Sequence, residues 1–207
     1  MKRFVVSLTV LLSLNVMYAQ DITLPAPNKE GGKPLMEVFN NRRSTREMSD
    51  KPLSQQTLSD LLWAAAGVNR PDGRRTAPSA MNMQEIDIYV YTPKAVYLYI
   101  PQEHILRHLL TGDFRAEIAR QPFAQKAPVV LLYVANYERM TRLDQQQKDF
   151  YGATDTGFIS QNVYLFCAQE GLNTVVLGMI DREAAKSRLG FDGKAQLGQP
   201  VAYPKQD

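Results

Sequence analysis

The chain has 207 residues, with 24 basic and 21 acidic side chains. Lys2 and Arg3 account for much of the small basic excess, so the remainder is close to balanced and makes no case for a nucleic-acid partner. The one cysteine, Cys167, excludes an intramolecular disulfide, and its apolar setting in VYLFCAQ marks a buried structural thiol.

The first element is MKRFVVSLTVLLSLNVMYAQ: a basic start, an apolar run from Phe4 to Val16, then the small Ala19. This is the layout of a secretory leader cleaved near Ala19, and the run is shorter than the roughly 20 residues of a membrane-spanning helix. Residues 1–19 are therefore read as a signal peptide and the mature chain as exported to the periplasm or beyond, with no stable membrane span. Residues 20–32, rich in Pro and Gly, read as an extended lead-in to one domain over 33–207.

Within that domain, Leu35, Val38 and Phe39 mark one face of a short helix that runs into NNRRSTRE. LSQQTLSDLLWAAAG follows as a helix capped by Ser54 and ended by Gly67, with Leu58, Leu61, Leu62 and Ala65 on its inner face and Trp63 in the core. Residues 69–84 read as a long loop holding Pro71, Gly73 and Pro78. EIDIYVYTPKAVYLYI has the pattern of a hairpin, and 102–121 that of one or two helices. APVVLLYVAN is a central strand, and 137–149 a polar, exposed, partly helical stretch. DTGFISQNVYLFCAQEG reads as a central helix, LNTVVLGMID as a strand, REAAKSRLG as a short helix and QPVAYP as a last strand. That order predicts an α+β fold with a mixed sheet flanked by helices.

Three stretches carry possible chemistry. NNRRSTRE gathers Arg42, Arg43 and Arg46 around Ser44 and Thr45, and guanidiniums with a hydroxyl can cradle a phosphate. Taken alone, a solvated helix end with Glu47 nearby is the favoured account. PSAMNMQ offers Ser79, Asn82 and Gln84, which both donate and accept, although the same residues serve ordinary turns. In VVLGMID, Gly178 at a strand end permits close approach of a flat ligand, as well as being an ordinary strand end. HILRH would set His104 and His108 on one face of a helix, but no Glu, Asp or Cys completes a usual zinc set.

Taken together and in order, NNRRSTREM, LLWAAAGVN, RRTAPSAMNMQEIDIYV, QPFAQKAPVVLLYV, DTGFISQNVYLFCAQEGLNTVVLGMID and VAYP resemble the nitroreductase-like FMN-dependent oxidoreductases, in particular the branch with thiazole/oxazole peptide dehydrogenases. The resemblance spans about residues 33–204. It implies a homodimeric flavoprotein with FMN at the dimer interface. By position, Arg42, Arg43, Ser44 and Arg46 would hold the FMN phosphate and ribityl chain. Pro78, Ser79, Ala80, Asn82 and Gln84 would reach the flavin from the partner subunit, Leu177, Gly178 and Met179 would lie along the ring, and Arg75 would approach ring or substrate. Lys205 is left as a C-terminal phosphate contact. The implied activity is hydride transfer through the flavin from a donor such as NAD(P)H to a nitroaromatic or quinone. The alternatives are a flavin dehydrogenase of modified peptides and an exported protein that binds flavin or another anion without turnover. The sequence departs from the family pattern at Glu85, where many members have Pro, and at Ala202, where Gly is frequent.

Overall fold

The computed structural model describes residues 20–205, so the leader lies outside the described residues. The framework is one sheet with strand order β1-β4-β3-β2-β5-β7-β6. Its strands are β1 (Ile22–Thr23), β2 (Ile86–Tyr91), β3 (Ala95–Ile100), β4 (Ile105–Thr111), β5 (Val129–Asn136), β6 (Asn173–Thr174) and β7 (Gly193–Ala202). The helices are α1 (Leu35–Asn41), α2 (Gln55–Ala66), α3 (Arg115–Ile118), α4 (Gln145–Glu170) and α5 (Arg182–Leu189). The α+β class is as expected, but every pairing among the described residues is antiparallel, which corrects the mixed sheet.

Strand β5 runs through the middle of the sheet and is buried for nearly its whole length, because its two faces feed two cores. Leu131, Tyr133 and Ala135 pack with α2 and α4. Val130, Leu132 and Val134 point the other way, with Ile118 of α3 and Ala185 of α5. Alternation with period two thus builds a helix–sheet–helix sandwich from one strand. Cys167 on α4 is buried in the first core, and burial pushes its thiol far above the ordinary range, as suits a structural thiol.

Helix α2 has the predicted bounds: Ser54 Oγ accepts from the Thr57 amide, and the chain leaves at Gly67. Helix α4 begins ten residues earlier than its apolar pattern, because Asp144 and Gln147 form a reciprocal capping box that captures the polar stretch.

Two expectations fail. Residues 105–111 form strand β4 rather than a helix, so His104 and His108 share no helix face. The reason is local: His104 adopts a left-handed φ of 53°, which ends any helix there and turns the chain back along β3. His104 instead takes part in a clamp. Ser59 Oγ donates to the Pro25 carbonyl at 2.6 Å and so receives the Nε2 proton of His104 at 2.6 Å. His104 Nδ1 is left to accept from the Tyr99 hydroxyl at 2.9 Å. The clamp, the β1–β4 pairing and an Asn28–Asp60 bond tie the N-terminal segment to the sheet and α2, so it is not a loose lead-in.

The other failure is residues 172–181, where only Asn173–Thr174 form a strand. Leu177 and Gly198 exchange both backbone bonds, so the next hydrogen-bonded pair toward β6 is Val175 opposite Pro200. Proline has no N–H to give, and the ladder breaks there.

Candidate functional site

The arginine segment leaves α1 at Arg42, whose backbone N–H closes the helix on Val38. Arg43 turns its guanidinium back onto the Asn40 and Arg42 carbonyls at 2.6 and 3.1 Å, capping the helix end. Among the described residues, neither Arg42, Arg43 nor Arg46 has a carboxylate within ion-pair distance. Glu47 therefore does not neutralise them, and the solvated helix end loses its ion pair. Arg42 lies over the Tyr164 ring at 5.3 Å, held without losing its charge.

Tyr164 of α4 joins two of the predicted stretches. Its hydroxyl lies 3.0 Å from Ser44 Oγ and accepts the Val176 N–H at 2.9 Å. The Thr45 amide adds a bond to the Thr174 carbonyl at 2.9 Å. Beside the break in the ladder, the Val176 N–H thus finds its acceptor in the hydroxyl that touches the arginine segment. Just beyond, Leu177 is buried while Gly178 and Met179 are exposed. A Cβ on Gly178 would meet nothing within 4 Å among the described residues, so no packing among them requires glycine there. Lys205 lines an open cleft of about 790 Å³ with Met48, Ser49 and Lys51, at the far end of the arginine segment.

The loop 78–84 lies elsewhere on α4. Met81, Asn82 and Gln84 all have left-handed backbone, with φ of 50°, 54° and 52°. Such non-glycine conformations cost about 1–3 kcal/mol each and persist only where surroundings enforce them. Here Ser79 Oγ accepts the Gln84 amide at 2.9 Å, Gln84 Nε2 donates to the Gly73 carbonyl at 3.0 Å, and Asp155 Oδ2 accepts the Ala80 amide at 2.8 Å. Arg139 completes the frame by donating to the Gln84 carbonyl at 2.8 Å and pairing with Asp87 at 2.6 Å. The frame holds Pro78, Met81 and Asn82 at the surface. Arg75 lies half-buried beneath, with its Nε unpartnered, beside a small cavity lined by Ala77, Pro78, Ser79 and Asp155. Burial, then the nearby Arg139 charge, lower the Arg75 pKa.

The structure brings 42–46 and 177–179 together but holds 78–84 apart from them. Their anchors on α4, Asp155 and Tyr164, are nine residues apart. At about 1.5 Å and about 100° per residue, that is about 14 Å along the axis and about half a turn around it. The two groups occupy opposite edges of the buried stripe. The sequence alone did not point to Tyr164, Asp155 or Arg139, and it marked Glu85 only as a departure from the family pattern. Only a polar residue interrupting the apolar stripe of α4 signals the first two.

Residues 40–203 match the family model described as the Nitroreductase family. A Methanocaldococcus jannaschii protein with a provisional nitroreductase name is 38% identical over 154 residues, covering 70% of this chain and 78% of its own. The FMN reductase [NAD(P)H] of Bacillus subtilis is 23% identical over 158 residues, covering 70% of this chain and 54% of its own. A crystal structure of a provisionally named nitroreductase from Ralstonia eutropha superposes with a TM-score of 0.86 at 37% identity, covering 91% of both chains. An α+β sheet with this strand order, an arginine segment tied to the 173–179 peptide, and these similarities over most of the chain lead to one assignment: the chain belongs to the nitroreductase family.

Proposed function

We propose that this nitroreductase-family chain is an FMN-dependent oxidoreductase that works as a homodimer. It passes hydride from a reduced donor such as NAD(P)H to a small acceptor, a nitroaromatic or a quinone. The observation that carries this reading is the pair Arg42 and Arg46, uncompensated by any described carboxylate and linked through Ser44 and Tyr164 to the exposed 177–179 backbone.

The residues present fit the group. Arg42 and Arg46, with Ser44, offer charge-assisted bonds to a phosphate, and Lys205 adds a cation at the end of the segment. The exposed peptide at Gly178 allows a planar ring to approach backbone, and Met179 offers a polarisable apolar face. Bound FMN supplies the two-electron chemistry, and the chain supplies binding, orientation and electrostatics. The polar loop with Asn82 and Gln84 is anchored on α4 about 14 Å and half a turn from the anchor of the arginine segment, and in this reading it serves the site of a second copy. Exposed Leu35, Met36 and Phe39 on α1, and Phe150 and Phe158 on α4, give that second copy an apolar surface to cover. The leader adds export in this reading.

The test begins with purified protein and added FMN. A retained yellow flavin band, bleached by NADH or NADPH and recovered with a quinone or a nitroaromatic, supports the reading and ranks the acceptors, whereas bleaching of the oxidised band by an azoline peptide without nicotinamide marks a peptide dehydrogenase. Dithionite serves as the chemical control for reducibility. A protein that takes up no FMN overturns the reading, and one that binds without turnover leaves a flavin carrier.

A further inference from the structure

Glu85 stands between the loop 78–84 and β2 and is fully buried, at 0% exposure. Neither of its carboxyl oxygens meets a hydrogen-bond donor among the described residues. A carboxylate left so is expensive, by several kcal/mol, unless it is paired or neutral. Among the described residues, no cation pairs with it. Arg139 faces it from the turn after β5 but gives its guanidinium to Asp87 and the Gln84 carbonyl. Arg75 faces it from the loop before Pro78, with no ion pair formed. From α4, however, Asp155 is within hydrogen-bonding reach and is itself only 2% exposed. Two buried carboxyl groups in reach of each other, with no proton between them, would both be acceptors and repel.

We propose that Glu85 and Asp155 form a buried acid–carboxylate pair sharing one proton, and that this pair locks the strained loop 79–84. Glu85 is the donor and Asp155 the acceptor. Asp155 Oδ2 in turn receives the Ala80 N–H at 2.8 Å, so the shared proton fixes the carboxylate that fixes the loop. Asp87, the remaining charge nearby, is engaged by Arg139 and Asn136. Burial first, then the bond to Asp155, push the Glu85 pKa up to about 8. The lock belongs to the chain without ligand. Its consequence, that FMN binding weakens as the loop loosens, rests on the function proposed above.

The two claims separate in the test. In protein without FMN, exchange protection of the Ala80 amide, corrected for intrinsic rate, is measured between about pH 7 and 9. The wild type is expected to lose about tenfold per pH unit as pH rises toward about 8, where the opened loop has released the Glu85 proton and the closed one still holds it, and to level off above. Glu85→Gln, which keeps an N–H donor toward Asp155 and cannot ionise, is expected to hold its protection across the range. An equal pH response in both proteins, or none in the wild type, overturns the lock whatever FMN does. Should Glu85→Gln not fold, a carbon-13 carboxyl titration of the wild type decides. A Glu85 resonance titrating near 8 supports the pair, and one titrating with ordinary carboxylates near 4.5 overturns it.

Discussion

Replacing Tyr164 with Phe removes one oxygen and keeps the ring beneath Arg42. The hydroxyl is the described partner of the Val176 N–H, at 2.9 Å, beside the break in the ladder to β7. Ser44, at 3.0 Å on the other side, is exposed and can turn to water. The loss is therefore one backbone donor in a half-buried position. A fully buried orphan costs about 1–3 kcal/mol, and half exposure brings the expectation to about 1–2 kcal/mol. At about 2–4 °C per kcal/mol for a chain of this size, the thermal midpoint should fall by about 2–8 °C. Urea unfolding gives the free energy, and flavin retained after gel filtration gives the effect on the site. Retention should fall too, because the arginine segment and the 177–179 peptide lose their common anchor. A Tyr164→Phe protein with wild-type stability and wild-type retention would refute the idea that this hydroxyl couples them.

Three other outcomes are expected. Arg42→Ala with Arg46→Ala should weaken FMN binding by about 3–6 kcal/mol, two charge-assisted bonds at about 1.5–3 each, while unfolding stability stays within about 0.5 kcal/mol. Equal loss in both assays would make the arginines structural. His104→Ala should destabilise by about 2–4 kcal/mol through its two bonds to Ser59 and Tyr99, read by urea unfolding. Burial holds the His104 pKa below its usual 6.5, so its contribution is full above that value and fades as pH falls toward the folded pKa. The wild type should lose stability on acidification in that window more steeply than His104→Ala. Gly193→Ala should cost more than about 3 kcal/mol, since a Cβ there would collide with the Ala135 carbonyl and φ is 142°.

What the sequence made legible follows from how local each signal is. Ser54 and Gly67 bound α2 because capping acts within one turn. APVVLLYVAN announced a strand buried on both faces because burial leaves no room for alternation. Strand β4 was misread since the spacing of His104 and His108 mimics a helix, whereas the decisive event is one left-handed residue and a partner strand. The break after Thr174 needed the knowledge that Pro200 lies opposite Val175, a register no local pattern contains. In the site, the arginine cluster and the polar loop were visible as residue types. Their anchors, Tyr164 and Asp155, were not, because each lies inside a helix whose apolar majority reads only as core. Glu85 was visible as a departure, but its burial and its carboxyl neighbour come from α4 crossing under the loop.

The central claim is that each flavin site is made by two copies, with the arginine grip from one and the polar loop from the other. It is tested by mixing two inactive variants. One is Arg42→Ala with Arg46→Ala. The other is Asn82→Gly with Gln84→Gly, which keeps the left-handed backbone at φ of 54° and 52° while removing the amides. Each alone should retain little FMN. Unfolded together and refolded, they should recover flavin, because a mixed dimer carries one intact site. Recovery only in proportion to the weak binding of the separate variants would contradict the shared site and place both halves on a single chain.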